Sequence, residues 1–196
     1  MLELTLFHIR VRIGLWFPAM VIVMLSLGDA AFSLQCLVAS FLHECGHFIA
    51  MLCLNDRPSR VYFGAFGVRV ERAREEQTGY RSQALISLAG PCTNLLCAAV
   101  LYAANGLTSM MLIHAVLGGF NLLPVTGMDG GEALYRLLCL FACENTAHKV
   151  CLFLSILILL PLAALGFYVL LHTRGNPSLR ILSTYLILLL IFKEKH

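Results

Sequence analysis

Apolar residues run along the chain in blocks of a helical span's length, parted by short polar or glycine-containing breaks. A membrane-spanning helix needs about 20 mostly apolar residues. On that measure the blocks predict spans at Val11–Leu27, ended by Gly28-Asp29, and at Ala30–Leu54, ended by Asn55-Asp56-Arg57-Pro58. A third runs from about Gln83 to Ala104 and stops at Asn105-Gly106. A fourth starts near Leu107 and is interrupted by Asn121, Pro124, Gly127 and the pair Gly130-Gly131. A short amphipathic segment, Glu132–Phe141, precedes a fifth span at Val150–Leu171 and a shorter sixth at Leu179–Phe192. Between the second and third, SRVYFGAFGVRVE alternates bulky and small residues around Gly64 and Gly67. That pattern predicts a short β-hairpin, Val61–Val70, at the membrane rim. The expected fold class is an all-α membrane protein of about six transmembrane helices, with one small membrane-associated hairpin between helices 2 and 3.

Composition agrees. Hydrophobic residues make up 59% of the chain and charged residues 13%, against roughly 45–50% and about 25% in an ordinary soluble domain. With a net charge of only +3, the basic residues ask first for a topology reading, and no nucleic-acid partner is expected. Twelve of the 14 Lys and Arg fall on one side of the six-span arrangement, leaving Arg174 and Arg180 on the other. The positive-inside rule then puts both termini in the cytoplasm. Eight cysteines lie mostly in apolar segments and none has CxxC spacing. They read as small core hydrophobes.

Against this apolar background, FLHECGHFIA carries His43, Glu44 and His47 within one and a half turns. Residues four apart lie on one helical face, and two imidazoles so placed can grip one metal ion, with Glu44 as base for a bound water. An ionised carboxylate at the centre of a membrane helix costs roughly 2.5–3.5 kcal/mol, so a cluster at depth calls for a partner. At ~1.5 Å per residue, His43 and His47 sit about 18 and 12 Å below the Asn55 end of their helix. A catalytic zinc usually takes three protein ligands and keeps a fourth position open. Asp129, in NLLPVTGMDGGEAL, returns to the same depth and is the candidate third ligand. Asp29 lies at the opposite face, and Glu132 sits one turn further out. Pro124 and the nearby glycines break the helix there, and irregular backbone at membrane depth is tolerated only when buried in protein or lining a watery cavity.

These residues resemble the site-2 protease family, intramembrane zinc metalloproteases. HECGH matches the family's His-Glu-x-x-His. NLLPVTGMDGG is similar to its Asn-x-x-Pro…Leu-Asp-Gly motif, and AGPCTNLL, Ala89–Leu96, to its Gly-Pro-x-x-Asn element. The resemblance implies a zinc ion held by His43, His47 and Asp129, with Glu44 as general base. It implies that Asn94, Asn121 and Pro124 position the broken segment or the substrate backbone. It implies one intramembrane domain over residues 1–196, with no stretch long enough for a PDZ or CBS domain. The activity would be cleavage of a membrane-tethered protein near the cytoplasmic face, with room for a membrane regulator. The six-span form is similar to the bacterial sporulation branch that processes a pro-sigma factor, which would place the chain in a bacterial cytoplasmic membrane. One departure is Gly127-Met128-Asp129-Gly130 where the family often has Pro-Leu-Asp-Gly. Met for Leu conserves volume, and Gly for Pro is expected to loosen the loop.

Two other classes are weighed by the same residues. A metal transporter or channel needs a polar path across the membrane, and the outer half of each predicted span is nearly free of acids and histidines. A non-proteolytic metal-binding protein has no need of Glu44. A haem would take axial ligands from opposite sides of its ring, which an i, i+4 pair cannot supply. His8, His114, His148 and His172 have no partner at ligand spacing and read as interfacial or packed. Arg72, Arg74, Glu75 and Glu76 read as a solvated loop.

Overall fold

The computed structural model describes residues 2–6, 9–14, 18, 21, 22, 25, 26, 29–56, 58–64, 67–72 and 78–172. The sixth predicted span and His8 lie outside them. In chain order the elements are β1 (Leu2–Leu6), β2 (Ile9–Ile13), α1 (Ala30–Cys53), β3 (Pro58–Gly64), β4 (Gly67–Arg72), α2 (Tyr80–Asn105), α3 (Ser109–Asn121), α4 (Asp129–Leu138) and α5 (Glu144–His172).

Among the described residues, three helices are long and apolar enough to cross a membrane: α1, α2 and residues 144–165 of α5. The short apolar helix α3 is where the fourth span was expected. It ends at Asn121, where the breakers stand, so the fourth block is a 13-residue helix followed by a turn. The first block begins as a strand, because Ile9–Ile13 belongs to β2. Of its other described residues, Gly14 has no regular structure and Pro18, Val21, Ile22, Leu25 and Ser26 are helical.

The sheet corrects the expectation of one isolated hairpin. Strands β3 and β4 pair antiparallel where the hairpin was expected, but they are half of a four-stranded sheet in the order β1-β2-β3-β4. The β1–β2 pair is antiparallel, and β2 runs parallel to β3. The register sets like against like. Leu4 faces Val11, Val11 faces Val61 and Val61 faces Val70. In the alternate rows Glu3 faces Arg12 and Arg60 faces Glu71. A strand alternates faces residue by residue, so this register sorts the sheet into apolar and charged rows.

Helix α2 is the hub, packed against α1, α3 and α4, while α5 packs on α4. The buried residues of α1 are Ser33, Ala39, His43, Gly46, His47 and Met51, and those of α2 include Gln83, Ile86, Gly90, Asn94 and Ala98. Both sets recur at three or four residues, one stripe of a helix. Elsewhere the helices expose large apolar side chains, among them Phe41, Ile49, Leu96, Val100 and Phe153. A membrane explains an apolar exterior of that extent; water does not.

Small residues set the spacing of α1 and α2. A Cβ on Gly46 would meet Ala89 O at 2.8 Å and Thr93 Cβ at 2.9 Å. The helices therefore touch nearly backbone to backbone, as small residues permit in membranes. At the other end of α2, Tyr80 donates a 2.7 Å hydrogen bond to Glu144 at the start of α5. The cysteines are unpaired, and only Cys151 is buried. The rest lie partly or fully exposed, Cys139 and Cys143 between α4 and α5 and the others on α1 and α2, which corrects their reading as core residues. Overpacking of this kind costs typically about 1–3 kcal/mol. Gly46→Val is accordingly expected to lower the melting temperature of the detergent-solubilised chain, and an unchanged melt would contradict the contact.

Candidate metal centre

His43 and His47 reach the protein interior because they lie one turn apart on the buried stripe of α1. Their rings meet edge to face, with centroids 4.8 Å apart. His47 Nδ1 lies 2.7 Å from Ile86 O on α2. The carbonyl can only accept, so Nδ1 carries the proton and the Nε2 lone pair is left bare. A helical side chain covers the turn before its own Cα, so a side chain at position 90 would hide the Ile86 carbonyl. Gly90 leaves it open. A Cβ there would overlap the His47 ring, with Cδ2 and Cε1 each at 2.7 Å. The glycine of the AGPCTNLL element thus makes room for a histidine of the other helix.

Asp129 is the first residue of α4, with Met128 at the N-cap. The turn that delivers it is tied down on both sides. Leu122 N donates to Gly118 O, Val125 N to Leu123 O and Met128 N to Val125 O. Thr126 N donates to Ser155 Oγ on α5 at 2.8 Å. Val125 and Met128 are buried against Leu159, and Phe120, Leu123, Ile158 and Leu162 close around them. Gly130 and Gly131 press on the backbone of Leu122 and Val125, where a Cβ would collide. Gly127 has φ +89°, a left-handed conformation that proline, locked near −65°, cannot reach. Glycine at this position therefore makes the turn and does not loosen it, correcting the expectation.

Three donor atoms converge. His43 Nε2 lies 2.9 Å from Asp129 Oδ2, His47 Nε2 lies 3.3 Å from the same oxygen, and the two Nε2 atoms are 3.1 Å apart. Two ligand atoms at zinc–nitrogen or zinc–oxygen distance and a tetrahedral angle are about 3.3 Å apart. The triangle has nearly that edge, so His43, His47 and Asp129 could hold a metal ion. The histidines are almost closed off, at 8% and 11% side-chain exposure, while Asp129 keeps 24%. The open side of the site is the turn side.

Glu44 stands beside the trio on α1, partly buried and within electrostatic reach of His43, His47 and Asp129. The rival acids are employed elsewhere. Asp29 caps α1, accepting from Ala31 N at 3.0 Å, and Glu132 lies 4.0 Å from Arg136 one turn on. Asn121 donates to Leu117 O at the end of α3, and Pro124 is partly exposed in the turn. Asn94 is wholly buried, its amide set between the rings of His43 and His114. That position faces the histidines and not an open surface. His114, read from the sequence as packed and partnerless, is packed but has this partner.

No family model matches the sequence, and no curated protein matches it. Among solved structures the chain is similar to the site-2 protease from Methanocaldococcus jannaschii, with a TM-score of 0.63 and 22% sequence identity over 94% of this chain and 91% of that one. The likeness spans nearly the whole architecture and shows the fold.

Two substitutions test the build of the centre. Gly90→Ala places a methyl group where the His47 ring stands and is expected to weaken metal binding about 10–100-fold, the range for disturbing groups that orient a ligand, in a chelator competition. Gly127→Pro is expected to cost more than about 1 kcal/mol of stability; a variant as stable as the parent would show that the turn does not need a positive φ.

Proposed function

We propose that the chain is an intramembrane zinc metalloendopeptidase of the site-2 protease type. It cleaves a membrane-associated or membrane-spanning protein near the cytoplasmic face. The observation that carries this reading is the convergence of His43, His47 and Asp129 from two elements on one point inside an apolar helix bundle, with Glu44 next to it. Likeness to a solved site-2 protease supports it.

His43, His47 and Asp129 are the ligands. A bound zinc ion supplies Lewis acidity, lowering the pKa of water and polarising a peptide carbonyl. The chain's own residues do the rest. Glu44 takes the proton of the attacking water and hands it to the leaving amine. The Ile86 carbonyl holds His47 in the tautomer that leaves Nε2 bare. The apolar faces of α1 and α2 exclude bulk water, and the turn at Leu122–Met128 admits it on the Asp129 side. To Asn121 and Pro124, at the end of α3 and in that turn, we assign the positioning of the substrate backbone.

A substrate helix hides its carbonyls in hydrogen bonds and has to unwind before cleavage. An extended segment can add to a sheet edge through main-chain hydrogen bonds. Strand β4 is an edge of the four-stranded sheet among the described residues, and it is the platform we assign to the unwound segment. The sheet's alternating apolar and charged rows suit the membrane surface, where basic residues favour the cytoplasmic side. Both termini are then cytoplasmic. Processing of a membrane-tethered pro-sigma factor is the finer assignment, on the resemblance of the expected six-span form to the sporulation branch.

The test pairs zinc per chain with cleavage of a co-expressed panel of membrane-tethered substrates. Wild type and Glu44→Gln are both expected to retain about one zinc. Cleavage is expected to fall by about 10²-fold or more in the variant, in keeping with loss of a general base. Chelation should abolish the wild-type activity and added zinc restore it. A wild type without zinc would overturn the metal site, and equal cleavage by Glu44→Gln would overturn the role of the base.

A further inference from the structure

His114 lies at the centre of α3, 1% exposed, and the reaction described above does not use it. Its Nδ1 is 3.0 Å from Asn94 Oδ1. The same amide reaches His43 Nδ1 through its nitrogen at 3.2 Å. Asn94 is 0% exposed. One line of polar contacts therefore crosses three helices, from His114 on α3 through Asn94 on α2 to His43 on α1. Gly118, one turn after His114, brings α3 close enough. A Cβ there would meet Pro91 O at 3.0 Å, Leu95 Cγ at 3.1 Å and Asn94 Cβ at 3.2 Å.

The chemistry of the amide gives this line a direction. An imidazole that binds a metal through Nε2 carries its proton on Nδ1, and that proton needs an acceptor. Asn94 can supply its oxygen by a half-turn of the amide, which exchanges oxygen and nitrogen with no change in shape. The Asn94 nitrogen then points at His114. In a dry site an amide N–H without an acceptor is costly. A neutral imidazole protonated at Nε2 offers the required lone pair at Nδ1. His43 thus gains an acceptor only because His114 satisfies the other end of the same amide.

We propose that His114 is a positioning residue of the metal centre, acting through Asn94 to keep His43 in the tautomer and orientation that bind zinc. Asn94 is correspondingly a partner of the metal ligand and not of the substrate. This inference rests on the zinc reading above.

The test measures zinc affinity by chelator competition on the full-length chain in detergent, with helical content by circular dichroism as the check on folding. His114→Phe is expected to weaken binding about tenfold, the low end of the range for groups one step behind a ligand, at unchanged helical content. His114→Asn carries an oxygen where the imidazole has Nδ1, and is expected to bind within about threefold of wild type, as a partner that can still accept. The pair Asn94→Leu with His114→Phe leaves no orphaned amide, so it keeps the test open if His114→Phe fails to fold. It should bind no more weakly than Asn94→Leu alone, because His114 acts through Asn94. His114→Asn as weak as His114→Phe, wild-type affinity in His114→Phe, or additive losses in the double variant would each overturn the proposal. Absence of zinc from the wild type would instead overturn the metal reading beneath it.

Discussion

Helix α1 meets α2 with almost nothing between their backbones. Gly46 allows the contact from one side and Gly90 from the other. The His47 ring stands in the gap at Gly90, held by the Ile86 carbonyl at 2.7 Å. Everything at the site is measured from that contact. Had either glycine carried a side chain, the helices would part and His47 would lose the acceptor that fixes its tautomer. In a membrane there is little hydrophobic force to press two helices together, so packing and hydrogen bonds have to do it. Here both are concentrated within one turn of the donor atoms.

The second half of the centre is built by different means. Asp129 is not on a long helix but at the start of a short one, after a turn that has no regular structure of its own. Such backbone survives at depth only if its polar groups are satisfied. The turn does this with its own N–H to carbonyl bonds, with Ser155 reaching in from α5, and with Val125 and Met128 as apolar anchors. The aspartate therefore has a defined position without a helix around it. The same turn is the more open wall of the site, so the segment that carries the third candidate ligand also leaves it the most exposed of the three.

Much of this was legible in the sequence. The His43–His47 spacing and the helix breakers before Asp129 are local signals, and both survive in the structure. What was not legible depends on contacts between distant segments. The LELTL and IRVRI stretches alternate strictly, which is the sign of a strand, yet the apolar block that begins at Val11 drew the reading towards a helix. The parallel partner of IRVRI lies in β3, beyond an entire spanning helix, so nothing near it announces the pairing. Gly127 looked like a loosened proline because its φ cannot be read from letters. His114 looked idle because its partner, Asn94, is on another helix and is not an ionisable residue.

The parallel pairing of β2 with β3 has a consequence for how the protein is made. Parallel neighbours require a crossover, and here the crossover is residues 14–57, which include the whole of α1. A ribosome adds about 5–20 residues per second, so from Ile13 to Gly64 takes on the order of 2–10 s. Through that interval β1 and β2 exist without their third strand, presenting a bare edge beside the translocation machinery. The sheet can close only when residues 14–57 have both their ends on one side of the bilayer, α1 supplying the returning leg. Closure is thus a record that insertion went the right way round: a chain whose α1 failed to return would keep β1 on β2 but leave the β3-facing edge of β2 bare.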